Sequence, residues 1–163
     1  MDFNIGDQVM HWTHGLGQIV GLEERTLSGT RILYYAVKVR DMTVWVPADD
    51  ELDKRLRQPT PASGFKHLFA ILSDEGEPLP EDRQERKLRM VEALKDGRAE
   101  SLCRVIRDLS AYRLGKSLNE SDQSLLKRAQ TALLGEWSFS LSIPEAQAAM
   151  DLFRLLKAEP VEV

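Results

Sequence analysis

The sequence predicts an α+β protein in which a small antiparallel β-barrel is followed by an all-helical domain of about five helices. Apolar residues alternate in short runs as far as Pro47, whereas from Phe65 onward they recur at the spacing of an α-helix. The chain between these halves is rich in proline and small residues. We therefore expect a β domain over residues 1–57, a linker over 58–64 and a helical domain over 65–163.

The first half carries the signals of short strands joined by tight turns. Within Phe3–Arg25, the run His14-Gly15-Leu16-Gly17 suits a reversal between two strands, because glycine accepts positive φ without steric cost. Ser28-Gly29 indicates the next turn, and strands are predicted at Ile32–Val39 and Met42–Pro47. These connections are too short for a crossover helix, so the predicted sheet is antiparallel and of the Tudor- or SH3-like barrel type.

The second half reads as consecutive amphipathic helices. The first is short and covers Phe65–Leu72. The next has a predicted inner face of Leu88, Val91 and Leu94 and ends at Gly97. Ser142 followed by Glu145 fits a capping box at the start of the last helix. Two helices lie between, with predicted inner faces made of Leu102, Val105, Ile106 and Leu109, and of Leu125, Leu126, Ala129, Ala132, Leu133 and Trp137.

The charge of the chain argues against a free-standing DNA-binding protein. Its net charge is −4, whereas affinity for duplex DNA comes mainly from neutralising phosphates. The distribution is nevertheless uneven, with nine Lys and Arg against five Asp and Glu between Arg83 and Arg113. Such a stretch would bind DNA weakly alone and usefully when another contact tethers it.

Compartment and membrane signals point to the cytoplasm. The N-terminal MDFNIGDQ has no basic segment followed by an apolar one, so no signal peptide is predicted. No apolar run approaches the roughly 20 residues that cross a bilayer. Cys103 is the single cysteine, which excludes an intramolecular disulfide and fits a reducing compartment.

No catalytic constellation is visible, and we expect a binding protein without enzymatic activity, metal or cofactor. His11 and His14 lie in a strand and a turn, so neither they nor the isolated His67 form a ligand pair of metal-site spacing, and His14 is expected to fix the turn. Gly15-Leu16-Gly17 leads into a strand, without the helix N-terminus that a phosphate loop needs. Cys103 sits in an apolar helical pattern and is expected to be a core residue.

Two sets of side chains remain as candidates for binding. By strand alternation Trp45 points opposite to Val44 and Val46. It is therefore either an exposed partner contact or part of the core. A third alternative is an aromatic cage, to which Trp12, Tyr34 and Tyr35 could contribute. The other set is a basic strip on the helix that carries Leu88. Its members are expected to be a solvated face or a phosphate-binding surface, and they are Arg83, Arg86, Lys87 and Arg89.

The order of several motifs resembles the CarD family of bacterial transcription regulators over nearly the whole chain. The opening carries Gly6-Asp7-Gln8-Val9 and then His14-Gly15-Leu16-Gly17 with Ile19-Val20, and the last barrel strand is Met42-Thr43-Val44-Trp45-Val46-Pro47. The same β domain resembles the polymerase-interacting domain of transcription-repair coupling factor, without its helicase. The helical half contributes Leu94-Lys95-Asp96-Gly97, Val105-Ile106-Arg107-Asp108-Leu109, Leu118-Asn119-Glu120 and the run from Lys127 to Glu136.

The resemblance implies a regulator that binds the RNA polymerase β subunit through its barrel, by a strand edge and nearby side chains. Its helical domain would touch promoter DNA at the upstream edge of the transcription bubble and change the stability of the open complex. Arg25 and Leu27 match family positions at the polymerase contact, and Trp45 falls where relatives often carry a basic residue. The protein would be cytoplasmic and associated with the nucleoid through polymerase, with no membrane or small-molecule partner.

One departure from the family pattern bears on the DNA contact. Family members that stabilise open complexes carry a tryptophan wedge near the start of the first long helix, and Arg83 occupies that position here. Arginine can pair with phosphate but cannot unstack a base step as an apolar wedge does. Two functions therefore stay open: a polymerase-tethered regulator that contacts DNA, and a polymerase-docked interaction module that does not. We expect a monomer, although the linker would also allow two chains to exchange barrels.

Overall fold

The computed structural model describes residues 3–156 and confirms the predicted α+β class, with an antiparallel sheet followed by helices. The chain divides into two compact units, Met1–Pro59 and Thr60–Val163. We call them the β unit and the helical unit, and each is described by itself. Within the described residues, no helix combines the length and the apolar character that a membrane crossing requires.

The β unit is built on a five-stranded antiparallel sheet with the strand order β4-β3-β2-β1-β5. A one-turn helix precedes the last strand. The elements are β1 (Gln8–His11), β2 (Gly15–Leu27), β3 (Thr30–Val39), β4 (Met42–Pro47), α1 (Leu52–Arg55) and β5 (Leu56–Arg57).

Strand β2 is longer than the sequence pattern indicates. It continues through Leu27 and pairs with β3 in a hairpin whose register runs to Leu27 opposite Thr30. Ser28 and Gly29 both have positive φ, 51° and 78°, which is the geometry of a two-residue loop that matches the twist of its strands. The hairpin explains why the polar run from Glu23 to Thr26 is still strand, since cross-strand pairing outweighs its weak intrinsic preference.

The core of the β unit lies on one face of the sheet. Tyr35 belongs to it, and its hydroxyl oxygen accepts a hydrogen bond from the backbone N–H of Phe3 at 3.2 Å. Burial of Tyr35 removes that ring from the predicted aromatic cage, since a buried ring cannot line an open cage. Gly17 is needed for close packing, because a Cβ there would lie 2.8 Å from side-chain carbons of both Val37 and Val39. The buried set is Phe3, Val9, Ile19, Tyr35, Val37, Val39, Val46, Leu52 and Leu56.

Within the described residues, the helical unit opens with a 3-10 turn at Ala62–Gly64 and continues as five α-helices. They are α2 (Phe65–Ser73), α3 (Arg83–Leu94), α4 (Ala99–Gly115), α5 (Glu120–Leu141) and α6 (Glu145–Leu156). Helix α4 is central and contacts α2, α3 and α5, and α6 packs on α2 and α5. Cys103 and Trp137 are buried in this core, as the sequence predicts.

Helix caps explain where α3 and α5 begin. The Asp82 carboxylate accepts a hydrogen bond from the Glu85 N–H at 3.0 Å, and Asn119 and Asp122 form a reciprocal capping box at the start of α5. The predicted capping box at Ser142 is wrong. Ser142 instead ends α5 in a left-handed conformation with φ 53°, so it cannot serve as the N-cap of α6.

The predicted inner face of α3 is also largely wrong. Leu88 is 68% exposed and Val91 is 39% exposed, whereas Arg86 and Met90 are buried and Leu94 is partly buried. The difference is explained by a buried ion pair. An apolar stripe of three residues is a weak determinant of orientation, and a buried ion pair made by Arg86 turns the helix so that Met90 packs in the core and Leu88 points to solvent.

Candidate interaction surfaces

The outward face of the β unit brings together side chains from β2, β3 and β4. Because Tyr35 and Val37 point into the core, Tyr34 and Ala36 point outward. Ala36 lies opposite Trp45 on one side and Gly21 on the other, and Tyr34 lies opposite Glu23. Arg25 follows two residues after Glu23 and therefore shares this face.

Arg25 is held by aromatic rings on this face. Its guanidinium carbon lies 4.6 Å from the centre of the Trp45 ring and 6.0 Å from that of Tyr34. Its Nε atom is 3.6 Å from a carboxylate oxygen of Glu23. The Arg25 side chain remains 47% exposed and Trp45 40% exposed, so both are open to a partner, and the exposed alternative for Trp45 is the one the structure supports.

Exposed apolar side chains extend along the same hairpin. Leu27, a predicted polymerase contact, is 54% exposed at the end of β2. The sequence pattern missed Leu22 and Leu33, which are also exposed. Leu22 is opposite the buried Tyr35, so it lies on the sheet face that carries the core, at the point where the hairpin extends past it. The full length of β2 would have indicated that the Leu22 and Leu33 side chains are exposed.

Strand β4 is an edge of the sheet. Among the described residues it pairs with β3 alone, so its other side presents unpaired backbone donors and acceptors. An edge of this kind can be extended by a strand from another protein. Trp45 lies in the middle of β4, and the Arg25 guanidinium contacts its ring.

The basic strip on α3 has three exposed members and one buried member. Arg83 and Lys87 are exposed. Arg89 is half-exposed and close to acceptors, with Nη1 3.2 Å from the carbonyl oxygen of Pro78 and Nη2 3.5 Å from Glu77. Leu88 and Val91 lie on the exposed side of the same helix.

Arg86 is not a surface residue, and its prediction as a DNA contact is overturned. Only 2% of its side chain is exposed. Its Nε lies 3.0 Å from each Asp122 carboxylate oxygen, and its Nη2 lies 2.6 Å from one of them. Nη1 donates to the Tyr112 hydroxyl at 3.1 Å and to the carbonyl oxygens of Pro80 and Glu81. The hydrogen bonds to Asp122 raise the pKa of Arg86, and the contact between the two side chains ties α3 to α5.

His11 has a structural role in the turn between β1 and β2. The His11 Nδ1 accepts hydrogen bonds from the backbone N–H groups of Thr13 and His14, each at 3.2 Å, so His11 and not the predicted His14 fixes the turn. Burial, with a smaller effect from His14, lowers the pKa of His11 to about 4. Across the described stretch from 3 to 156, no group of three or more His, Cys, Asp or Glu side chains could hold a metal ion.

The two units present different surfaces, an arginine on aromatic rings in the β unit and exposed cations on α3 in the helical unit. Comparison with known families assigns a domain of one family to each unit. Residues 3–58 match the CarD-like/TRCF RID domain, and residues 67–153 match the CarD C-terminal domain. The chain belongs to the CarD family, whose members are transcription regulators and not a known class of enzyme.

A curated relative points the same way. The chain is 29% identical over 148 residues to the Bacillus subtilis (strain 168) protein named "Putative transcription factor YdeB". The match covers 89% of this chain and 96% of that protein, so the two proteins correspond over both units.

Proposed function

We propose that this protein binds the β subunit of bacterial RNA polymerase through its β unit and contacts promoter DNA through α3, and that it thereby changes the lifetime of the open complex. The main support is the exposed Arg25, which is held on Trp45 beside the free edge of β4 in a domain of the polymerase-interacting type. This chain combines that domain with the C-terminal domain of the same family.

The β unit offers two kinds of contact to polymerase. The free edge of β4 can pair with a strand of the partner through main-chain hydrogen bonds, and side chains beside the edge then supply specificity. Arg25 supplies a cation with planar donors that match a carboxylate, and Leu27 supplies exposed apolar area. This division of roles predicts that changing Arg25 alters affinity without altering the fold, because its side chain lies outside the core.

The DNA contact would be made by the cations of α3 that the structure leaves exposed. Arg83 and Lys87 have no ion-pair partner among the described residues, and Arg89 is only loosely paired with Glu77. Two or three phosphate contacts on a chain of net charge −4 would bind duplex weakly from free solution. Binding to polymerase compensates for this weak affinity, because it raises the effective concentration of α3 at the promoter to on the order of 1 mM, as short tethers do.

A second function is favoured by the exposed apolar side chains on α3. Leu88 and Val91 are open to solvent on the same helix as the cations. An exposed apolar pair of this kind also suits a protein partner, which would make the helical unit an interaction module on polymerase without DNA contact.

Open-complex lifetime on a fork-junction promoter, measured with purified bacterial RNA polymerase, tests the proposal. We expect Arg25→Glu to abolish the effect of the wild-type protein on lifetime by removing the tether. Arg83→Ala with Lys87→Ala should abolish it while polymerase binding is retained. A matched control removes two exposed cations of other helices, Lys66→Ala with Arg154→Ala, and should behave as wild type. A wild-type protein that binds polymerase with no effect on lifetime would favour the interaction module.

A further inference from the structure

The relationship between Trp45 and Arg25 spans three strands of the β unit. Arg25 projects from β2 and Trp45 from β4, with β3 between them, yet the guanidinium carbon lies 4.6 Å from the centre of the indole ring. The cross-strand row that contains Trp45 is otherwise made of two small residues, Ala36 and Gly21. Ala36 points outward but is only 4% exposed, so large side chains cover it. The indole ring extends over the outward face of the sheet toward Arg25.

This geometry restricts Arg25 and leaves its hydrogen-bond donors available. A cation above an aromatic ring is attracted by the ring's quadrupole, which limits the rotamers of an otherwise flexible side chain. The five N–H donors of a guanidinium lie in its plane, so contact through one face does not consume them. Within the described part of the chain, Glu23 is the one carboxylate near Arg25, and its distance of 3.6 Å to Nε is too long for a strong hydrogen bond.

We propose that Trp45 is a positioning residue, whose ring holds the Arg25 guanidinium so that its open edge receives a carboxylate of the polymerase β subunit. This inference rests on the proposed polymerase docking and deepens it. Two oxygens of one Asp or Glu side chain match the paired donors of the guanidinium edge. Trp45 then acts through Arg25 and contributes no binding energy by direct contact with polymerase. This role differs from the direct polymerase contact predicted from the sequence. Restricting Arg25 before binding lowers the entropy that docking must overcome.

A double-mutant cycle on the full-length protein distinguishes the two roles. The variants are Arg25→Ala, Trp45→Leu and their combination, and the measurement is equilibrium affinity for RNA polymerase core enzyme. We expect Arg25→Ala to weaken binding at least about tenfold, the effect of losing a charged hydrogen bond. Trp45→Leu should weaken it about two- to fivefold, the range for an exposed cation–π contact. In the Arg25→Ala background, Trp45→Leu should have no further effect.

Trp12→Leu is the matched control, because Trp12 is an exposed tryptophan of the same unit and no cation lies over its ring in the described structure. We expect it to bind as wild type does. An equal loss from Trp45→Leu with and without Arg25 would overturn the inference and restore a direct contact. The inference would also be overturned if wild type binds polymerase and Arg25→Ala has no effect, although docking by the β unit would then stand.

A second measurement does not depend on polymerase, so it separates this inference from the proposed function. In the free protein, the indole ring current should shift the side-chain proton resonances of Arg25 upfield in NMR spectra. Trp45→Leu should abolish that shift and Trp12→Leu should preserve it. Arg25 resonances at random-coil positions in the wild type would overturn the positioning role. Failure of wild type to bind polymerase would instead overturn the proposed function, and the polymerase carboxylate with it, while the upfield shift would still show that Trp45 positions Arg25.

Discussion

Arg86 and Asp122 form a buried ion pair that joins α3 to α5, with Nη2 of the arginine 2.6 Å from a carboxylate oxygen. Both side chains are almost completely buried, and Asp122 also belongs to the capping box at the start of α5. The pair therefore sets the orientation of α3, which carries the exposed cations on its other side. Arg86, which the sequence pattern places in the basic strip, therefore supports the strip indirectly by fixing the orientation of α3.

Arg86→Ala should destabilise the protein strongly. Removing one partner of a buried pair leaves the other charge without compensation, and the expected loss is about 3–5 kcal/mol of the free energy of unfolding. Urea denaturation followed by far-UV circular dichroism measures this loss. Arg89→Ala, on the same helix but half-exposed, is the control and should change stability by less than about 0.5 kcal/mol. Equal stability of the two variants would contradict the structural role of Arg86.

Gly17→Ala should destabilise the β unit by overpacking. The new Cβ would lie 2.8 Å from carbons of both Val37 and Val39, so strand or core must shift, at a cost of about 1–3 kcal/mol. Gly21 is the matched control in the same strand, because a Cβ there would meet only Ala36, at an ordinary 3.5 Å. Thermal unfolding of the two alanine variants tests the comparison, and a larger loss at Gly21 would argue against the close packing at Gly17.

Stability should fall as the pH is lowered from 6.5 toward 4 because of His11. Burial lowers the pKa of folded His11 to about 4, below the ordinary value of 6.5. Between these two pH values, His11 is therefore protonated in the unfolded chain and neutral in the folded protein. The contribution of His11 to the free energy of unfolding is fully present above pH 6.5 and is lost as the pH falls to the folded pKa. The loss is about 3 kcal/mol at most. Denaturant unfolding across this pH range measures it.

His11→Asn should flatten that pH dependence. The asparagine Oδ1 can accept the turn hydrogen bonds that Nδ1 accepts, but asparagine does not titrate. His14→Gln should retain most of the dependence, because burial and not His14 is the larger cause of the lowered pKa. A wild-type slope in the His11→Asn variant would show that another group is responsible.

The salt dependence of the promoter complex should report phosphate contacts by α3. Each phosphate neutralised contributes about 0.9 to the slope of log affinity against log salt on duplex DNA, so Arg83→Ala with Lys87→Ala should reduce the slope by roughly 2. The measurement is made with polymerase and this protein present together. An unchanged slope would show that these cations do not contact DNA, and the Lys66→Ala, Arg154→Ala control shows whether general charge loss has any effect.

Several features of the protein could be predicted from local sequence. Positive φ at Ser28-Gly29 and the period-two pattern of Ile32–Val39 depend on nearest neighbours, and both are found in the structure. Alternation alone placed Trp45 opposite to Val44 and Val46, and apolar spacing alone placed Trp137 in the helical core. The order of motifs along the chain was sufficient to identify the family.

The sequence by itself determined the α+β class, the family and the side of β4 on which Trp45 lies relative to Val44 and Val46, because each depends on short-range periodicity or motif order. Only the tertiary structure decided that Arg86 is buried, that Leu88 faces solvent and that Trp45 meets Arg25. Arg86 and Asp122 are 36 positions apart, and Trp45 reaches Arg25 across an intervening strand. Pairing at such separations is set by how elements pack, and it can reverse the orientation that a single helix or strand would favour alone.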